Sequence, residues 1–490
     1  MAGGWQRWRL HIAAATCLAV LVAVAALGAG GRTRTQLVAS AGSANGGVTA
    51  GVTPTTAGAG DAGATDAAAA GGGGGVSAAG ATAAGGPAGA AAVVAAGSTH
   101  YDPGASDAEV RVGASTFLSG PAAVYGQQAA VGFTAGVKYV NDHGGVNGRR
   151  LVSTIYDDGA DPAKMLANTK RLVEVDNVFA LGLVGAAVSG QYVNDVGIPV
   201  VAEGSLDEDF TNPWFFPLGG PMVTSGMVLA NYGARTLGVK KVAIFYIDAG
   251  ANNFSGDYAR KLAGFWQAYG VDASTLVPFA PDQTSCSDAI SAAKSANVDF
   301  IDFEVDAGHV IQCGVEAQIQ GYTPPKKWGG YLIGVPVIHE ALGDFSLGMY
   351  AFDAFGSDYD NPDYNADIKS VSSSVDAYSS VTISGFISAL TLADGMRQLG
   401  TDFTRAHLRD VLNGLQDYTP GLTADPNQPR WTWTPQCHVA LSGGYVIQIQ
   451  KQGDGSLRWN QISDQITSTP LPPGIGKPDA FNGCTRFVPG

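Results

Sequence analysis

Basic side chains are scarce in this chain of 490 residues, in which 28 Lys and Arg residues stand against 42 Asp and Glu residues and the formal net charge is -14. Residues 1–100 hold four of the basic and two of the acidic side chains, so the remainder carries 24 basic and 40 acidic ones, a net charge of about -16. No local basic patch interrupts this balance. Nucleic-acid phosphates and anionic lipid headgroups would repel such a chain, so we exclude a nucleic-acid partner.

Catalytic motifs are also missing. The sequence has no G-x-x-x-x-G-K-[ST] phosphate loop, no G-x-S-x-G elbow and no H-E-x-x-H, and its seven His residues are scattered. Acidic side chains cluster in residues 207–210 and 358–367, but neither stretch has the full calcium-loop pattern, and we interpret both as solvated turns. The sequence therefore predicts a protein that is not an enzyme and that holds no cofactor or metal ion.

The N-terminal region does not have the composition of a folded domain. Within residues 1–31, Arg7 and Arg9 precede an uncharged apolar run, which is typical of a secretory signal. The length of the run also suits a membrane-spanning anchor, and the sequence leaves cleavage and anchoring open. Residues 32–100 consist mostly of Ala, Gly, Thr and Ser, too little large apolar surface to offset chain entropy, so we predict a disordered linker. We expect export to the extracellular space or the cell envelope.

From Glu109 onward, strand and helix signals alternate. VRVGAST is predicted to be a buried strand, GQQAAVGFTAGVKYVNDHGG a helix and RRLVSTIYDD a second strand. The next helix, DPAKMLANTKRLVEVD, begins with Asp161 as N-cap and Pro162 at its first position. The same alternation of predicted strands and helices begins again with KKVAIFYID and continues to KKWGGYLIG. Repeated units of this kind predict two α/β lobes with parallel sheets, and a ligand site outside the carboxyl ends of the strands.

The run from residue 112 to residue 173 resembles the start of type I periplasmic solute-binding proteins, in the leucine/isoleucine/valine-binding branch that serves ABC importers. Its recurrent features are the LSGP turn at residues 118–121, the Tyr125-Gly126 pair, the helix exit VNDHGGVNGRRL and the motif YDDGADP. These features occur in order and at the expected spacing, and the order of elements continues to match through about Ser463.

The resemblance implies a particular architecture, an α/β fold of two doubly wound parallel-sheet lobes joined by a three-crossing hinge. By that pattern, lobe one comprises residues 108–220 and 356–428, and lobe two comprises residues 221–355 and 429–465. Residues 466–490 would form a tail pinned by a disulfide. The resemblance further implies a monomer that binds a small-molecule solute and delivers it to an ABC importer permease.

The turn GLVGAAVSG at residues 182–190 joins a strand end to a predicted helix start, whose free amide groups favour an anion. In the family, the corresponding loop and the loop after the next strand hold the ligand's carboxylate. Small residues would equally allow tight packing of the helix on the strand. The carboxylate-binding residues implied here are Gly185, Ala186, Ala187, Gly204 and Ser205.

Other site residues follow from the same resemblance. Tyr125 matches a position where relatives place an aromatic side chain against the ligand, and Phe254 matches an aromatic that closes over it. Ser119, in the LSGP turn, is expected to line the same cleft.

One loop departs from the pattern of the amino-acid-binding relatives. They present an acidic side chain after the strand equivalent to KKWGGYLIG to pair with the ligand's ammonium, but here the loop begins with Tyr331. Burying an ammonium without a carboxylate is costly. Either Glu304 or Asp306 takes that role, with Asp306 preferred because it follows the strand end, or the ligand has no ammonium.

Five Cys residues occur, one of them inside the N-terminal apolar run. The other four form an even set, which indicates two disulfides in an exported protein. Three connectivities are open, and we favour the pairing of neighbours, Cys286 with Cys313 and Cys437 with Cys484.

The sequence thus predicts an extracytoplasmic solute-binding protein whose ligand is an amino acid or a related carboxylate or amide. A membrane-tethered extracellular sensor is the alternative, because a long linker is most useful when one end of it is fixed.

Overall fold

The computed structural model describes most of the chain after residue 99. The described residues are 100–120, 123–183, 186–203, 211–219, 222–248, 254–331, 333–356, 362–377, 379–420, 430, 432–435, 438, 443–467, 477–481 and 484–488. The predicted signal or anchor, nearly all of the predicted linker and both acidic clusters except residues 362–367 lie outside them.

A five-stranded sheet forms the first half of the fold. All of its strands run parallel, in the order β3-β2-β4-β5-β6. Its elements, preceded by the short β1 (His100–Tyr101), are β2 (Glu109–Thr116), α1 (Ala123–Asp142), β3 (Arg150–Asp157), α2 (Pro162–Glu174), β4 (Ala180–Gly182), α3 (Ala186–Val196), β5 (Val200–Ala202) and β6 (Phe215–Pro217). The predicted cap of α2 is confirmed, since the Asp161 carboxylate accepts hydrogen bonds from the amide groups of Ala163 and Lys164.

An eight-stranded sheet forms the second half. Its strands follow the order β14-β13-β11-β10-β9-β7-β8, with β15 paired to β13. The elements of its parallel part are α4 (Met222–Arg235), β7 (Lys241–Ile247), α5 (Phe254–Ala268), β8 (Asp272–Phe279), α6 (Ser287–Ser295), β9 (Phe300–Glu304), α7 (Ala307–Ile319), β10 (Trp328–Gly330), α8 (Pro336–Leu342), the short 3-10 helix Gly343–Ser346 and β11 (Tyr350–Asp353).

The remaining elements complete both halves. After β11 come α9 (Pro362–Val371), α10 (Ser380–Arg397), β12 (Asp402–Phe403), α11 (Arg405–Asn413), β13 (Gly443–Lys451), β14 (Leu457–Gln461), β15 (Ile466–Thr467), β16 (Lys477–Phe481) and β17 (Cys484–Val488). β13 runs antiparallel to β11, to β14 and to β15, so this sheet is mixed, whereas the expectation was parallel. β16 and β17 form a separate antiparallel pair within the predicted tail.

Helices α1 and α10 pack against each other at the closest approach in the first half. A Cβ atom added to Gly132 of α1 would lie 2.0 Å from the Thr382 carbonyl oxygen of α10, and one added to Gly385 of α10 would lie 2.1 Å from the Ala129 carbonyl oxygen of α1. Both distances are shorter than any atomic contact allows, so only glycine fits at these crossing points. α10 also contacts β4 and β5, which joins residues far apart in the sequence into one core.

The α/β type and the two-sheet organisation are confirmed. The boundaries of the lobes and the three crossings remain predictions at the level of residues. None of the helices in the described ranges combines the length and apolar character that crossing a membrane requires.

Candidate functional site

The LSGP turn directly follows β2 and is held by the end of β3. The backbone amide groups of Leu118 and Ser119 donate to Asp157 Oδ1 at 2.9 and 3.1 Å, and the Ser119 hydroxyl donates to Asp157 Oδ2 at 2.6 Å. In the same way, the Ser115 hydroxyl donates to the buried Asp158 at 2.8 Å. The two sequence motifs, LSGP and YDDGADP, are therefore one hydrogen-bonded unit, and Ser119 serves it whether or not a ligand is near.

Tyr125, in the first turn of α1, links the two halves of the fold. Its side chain is buried and packs among second-half residues such as Phe279 and Val305. The Tyr125 hydroxyl accepts a hydrogen bond from the amide group of Ala307, the first residue of α7, at 3.0 Å. Burial raises the pKa of this hydroxyl well above its usual value, so it stays protonated at any physiological pH.

Asp306 caps the same helix terminus from its own side. Its Oδ1 atom accepts from the amide groups of Gly308 and His309 at 2.9 and 3.2 Å, and its Oδ2 atom lies 2.5 Å from His309 Nδ1. Burial alone would raise the pKa of Asp306, but the contacts with His309 and Gly308 together lower it. The carboxylate preferred from sequence as a partner for an ammonium is therefore committed to stabilising α7.

Glu304, the last residue of β9, has a different environment. Its side chain is buried, and its Oε1 atom has no hydrogen-bond partner within the described residues. Burial raises the pKa of Glu304, and the neighbouring Asp302 carboxyl raises it further. Asp302 itself accepts a hydrogen bond from Trp266 Nε1 at 2.8 Å. Of the two acids considered from the sequence, Glu304 is the one with free acceptor capacity.

Glu203 directly follows β5 in the first half. Its carboxyl accepts from the Ser384 hydroxyl of α10 at 3.4 Å. The side chain is accessible to solvent, although the surrounding protein strips enough water from the carboxyl to raise its pKa to about 7, and the nearby Asp353 adds to this. The sequence alone gives no sign of this environment, since Ser384 and Asp353 lie far from Glu203 along the chain.

Tyr331 directly follows β10, which pairs with β9. Burial raises its pKa, and the charges of Glu203 and of Glu304 both raise it further. One tyrosine therefore lies within electrostatic reach of an acid from each sheet. The carboxyl ends of β5, β9 and β10 therefore lie near one another, and the carboxyl ends of strands are where open α/β sheets are expected to bind ligands.

The structure describes the other predicted site residues only in part. Gly185, Gly204 and Ser205 lie outside the described residues. Ala186 and Ala187 begin α3, and Phe254 begins α5, but their side chains lie outside the described set as well. The assignment of all the predicted site residues to ligand binding remains a prediction.

The predicted disulfide between Cys286 and Cys313 is present and joins the start of α6 to α7. Cys437 lies outside the described residues, and so does the side chain of Cys484, so their pairing stays a prediction. Within the described ranges, no three His, Cys, Asp or Glu side chains are grouped so as to hold a metal ion.

Comparison with known proteins identifies the family. The chain belongs to the periplasmic binding proteins, whose family model matches residues 109–454. It is 33% identical over 111 residues to Leu/Ile/Val-binding protein homolog 1 of Brucella abortus (strain 2308). The aligned region covers 22% of this chain and 30% of that relative's length. The resemblance to the type I, leucine/isoleucine/valine-binding branch is confirmed.

Solved structures support the same fold. A branched-chain amino acid transporter substrate-binding protein from Streptococcus pneumoniae in complex with isoleucine aligns with a TM-score of 0.61 at 15% identity, over 73% of this chain and 100% of that one. A solute-binding protein of an ABC transporter from Rhodopseudomonas palustris BisB5, in complex with 3,4-dihydroxy benzoic acid, aligns with a TM-score of 0.62 at 16% identity. The alignment covers 74% of this chain and 98% of that one. At such identities the comparisons establish the fold alone.

Proposed function

We propose that this chain is an exported, non-enzymatic solute-binding protein that captures a small polar ligand between two lobes and delivers it to an ABC-type permease. The ligand is an amino acid or a related carboxylate or amide. The protein acts as a monomer, and neither nucleic acid nor a cofactor takes part.

The observation that carries this proposal is the meeting of the two sheets at the expected cleft, where the Tyr125 hydroxyl of the first half accepts a hydrogen bond from the start of α7 in the second half. Glu203 at the end of β5 and Glu304 at the end of β9 both act electrostatically on Tyr331. A ligand that contacts both sides of such a cleft favours the closed arrangement over the open one, since closure adds contacts. The structural relatives in complex with isoleucine and with 3,4-dihydroxy benzoic acid support capture of small polar solutes.

A thermal-shift screen of the full chain tests the proposal. The probes are amino acids, their deaminated carboxylates, amides and polyols, because a ligand that binds only the folded state raises the melting temperature by mass action. We expect at least one probe class to stabilise the protein, and mass spectrometry should recover that probe chemically unchanged. Chemical conversion of the probe, or no stabilisation by any class, would contradict the proposal.

Mass spectrometry of the exported protein tests localisation separately. Cleavage near residue 29 gives a released binding protein. An intact N-terminus in the membrane fraction would mean that the first apolar run is an anchor.

A further inference from the structure

Three connections in the described part of the chain lead from one half of the fold to the other. The chain leaves the first sheet after β6 and enters α4, which packs against β11 and β13 of the second sheet. It returns between β11 and α9, which packs against α1, and it leaves again between α11 and β13. A movement of one half relative to the other therefore bends the chain at these three places.

His438 lies in the third of these connections and is held by the first half. Its side chain is buried, with 2% exposed. Nδ1 lies 2.6 Å from the carbonyl oxygen of Phe215 in β6, and Nε2 lies 2.8 Å from Oδ1 of Asn413, the last residue of α11. The imidazole ring also stacks on Phe216, with 4.5 Å between the ring centroids. One side chain thus ties the third connection to the strand that precedes the first.

Trp433 strengthens the same attachment. It is fully buried, its backbone amide group donates to the Leu415 carbonyl oxygen at 3.0 Å, and its indole ring packs edge-on against Phe216 at 5.4 Å. Residues 439–442 separate His438 from β13, which begins at Gly443. The attachment at His438 therefore sets how much chain is available between the two halves.

The hydrogen-bond partners of His438 suit a neutral ring. A carbonyl oxygen only accepts, so Nδ1 carries a hydrogen, and a neutral imidazole then has a lone pair on Nε2. The Asn413 amide can meet this lone pair by turning its NH2 group toward the ring. A protonated ring would place a full positive charge in the same buried site, with only neutral oxygens to receive its two N–H groups.

No charged group in the described part of the chain compensates such a charge. Burial lowers the pKa of His438, and backbone hydrogen bonds with Phe215 and Asn212 offset the effect of burial only in part. Neither a carboxylate nor a cation among the described residues contributes to this pKa.

The ionisable side chains on the elements around His438 are paired with one another. β6 has the sequence FFP and no ionisable group. Near the end of α11, Arg409 pairs with Asp410 at 2.6 Å, and Arg430, upstream of Trp433, pairs with Asp417 at 3.2 Å. Proton binding therefore favours an arrangement in which the ring leaves its site and meets water.

We propose that His438 is a proton-sensitive anchor of the third connection: the neutral ring holds the chain against the first half, and the protonated ring releases it. Release lengthens the free connection, widens the range of positions open to the second half and favours separation of the two halves. Moderate acid thereby weakens the closed arrangement without a change in any residue of the cleft. The inference goes beyond solute capture and does not depend on it, because its test needs no ligand.

Release should follow pH over a defined range. An exposed imidazole has a pKa near 6.5, and burial holds that of the anchored ring lower. Below about pH 6.5, the ratio of released to anchored chain rises by up to about tenfold per pH unit, until the anchored ring also binds a proton.

Hydrogen exchange of the full chain without ligand, at pH 7.5 and pH 5.5, measures this release by mass spectrometry once corrected for the intrinsic pH dependence of exchange. Peptides covering residues 433–445 report on the connection. Peptides covering residues 305–310 report on separation of the halves, because the Ala307 amide group donates to the Tyr125 hydroxyl. We expect exchange in both regions to rise by up to about tenfold at pH 5.5, and exchange in β2 to stay unchanged.

His438→Asn and Asn413→Asp test the role of the proton. Asparagine keeps an N–H donor for Phe215 but does not titrate, so exchange in residues 433–445 should be the same at both pH values. Asn413→Asp places a carboxylate beside Nε2, which pairs with the protonated ring and should keep the connection anchored at pH 5.5. His143→Gln, at an exposed histidine directly after α1, is the control and should respond to acid as the parent does.

Several results would overturn the anchor: exchange in residues 433–445 that acid leaves unchanged in the parent, an equal rise in His438→Asn, or a rise in Asn413→Asp as large as in the parent. An equal rise in β2 would also overturn it, because the whole fold would then be opening. A rise confined to residues 433–445 would overturn the separation of the halves. If His438→Asn does not fold, Asn413→Asp against the parent decides. Failure of every probe in the thermal-shift screen would leave this inference standing.

Discussion

Tyr125 and Asp306 share the start of α7, although 182 residues separate Tyr125 from Ala307 along the chain. Asp306 serves the second and third amide groups of the helix, and the Tyr125 hydroxyl serves the first. An amphipathic helix start with an Asp before it is recognisable in sequence, and this cap could be foreseen. The contribution of Tyr125 could not, because it depends on how the two sheets approach each other.

The first prediction concerns Tyr125→Phe. The substitution keeps the packed ring and removes only the hydroxyl, so the amide group of Ala307 loses its partner, at a cost of about 1 kcal/mol. Because this bond joins the two halves, we expect ligand affinity to fall about fivefold with the ranking of ligands unchanged. Titration calorimetry with the probe that binds most tightly measures this change in affinity. Tyr139→Phe, on the outer part of the same helix, is the control, and a changed ranking would mean that Tyr125 contacts the ligand itself.

At the scale of elements, the sequence predicted the repeated strands and helices well up to β10. Alternation of buried strands such as β2 and β7 with helices leaves a strong periodic signal. The antiparallel β13 and β14 were not foreseen, because only register and tertiary pairing distinguish an added antiparallel strand from a parallel one. The sequence predicts a site at strand ends, and its assignment to ligand binding stays a prediction. The different hydrogen bonding of Asp306 and Glu304 could not be predicted, because it depends on the local fold of each carboxyl.

The crossing of α1 and α10 gives the second prediction. A Cβ atom at Gly385 would lie 2.1 Å from a carbonyl oxygen of α1, so Gly385→Ala must push the helices apart. We expect the free energy of unfolding to fall by about 3 kcal/mol, at the upper end of overpacking effects. Gly453→Ala, where nothing lies within 4 Å of the added atom, is the control. Urea denaturation followed by circular dichroism compares the two variants. Equal unfolding midpoints for Gly385→Ala and Gly453→Ala would contradict the close crossing of the helices.

The disulfide provides the third prediction. Cys286 and Cys313 are 27 residues apart, and a crosslink closing a loop of that length restricts the unfolded chain by about 3 to 4 kcal/mol in the chain-entropy account. The double variant Cys286→Ser/Cys313→Ser should lose about this amount in chemical denaturation. Reductant should lower the melting temperature of the parent by more than that of the double variant, which keeps only the predicted Cys437–Cys484 pair. Equal sensitivity of the two proteins to reductant would contradict a stabilising role for the Cys286–Cys313 bond.

At the scale of the whole molecule, buried acids link stability to pH. The folded-state pKa values of Asp302 and Glu304 are raised, mainly by burial, so these groups bind more protons when folded than when unfolded. Such groups stabilise the fold fully below their unfolded pKa near 4, and this contribution is lost as pH rises through the folded value. Burial lowers the pKa of His339 and of His438, which has the opposite effect, but only below about pH 6.5.

The fourth prediction follows from the raised pKa values of these buried acids. Between pH 6.5 and pH 8.5, the melting temperature of the ligand-free protein should fall by a few degrees, since each fully buried group contributes up to about 1.4 kcal/mol per pH unit. Glu304→Gln should flatten the slope, because glutamine does not titrate. Differential scanning calorimetry across this range is the measurement. A melting temperature that rises with pH, or an unchanged slope in Glu304→Gln, would be inconsistent with a protonated buried acid.

The glycine crossing has a mechanical consequence. Because the backbones of α1 and α10 approach closely at Gly132 and Gly385, no layer of side chains separates the helices there, and we expect them to move as one piece. Tyr125, near one end of this piece, holds α7, while Ser384 on the other helix holds Glu203. We therefore expect a displacement of Glu203 to reach Tyr125 through a rigid pair of helices rather than through a flexible segment.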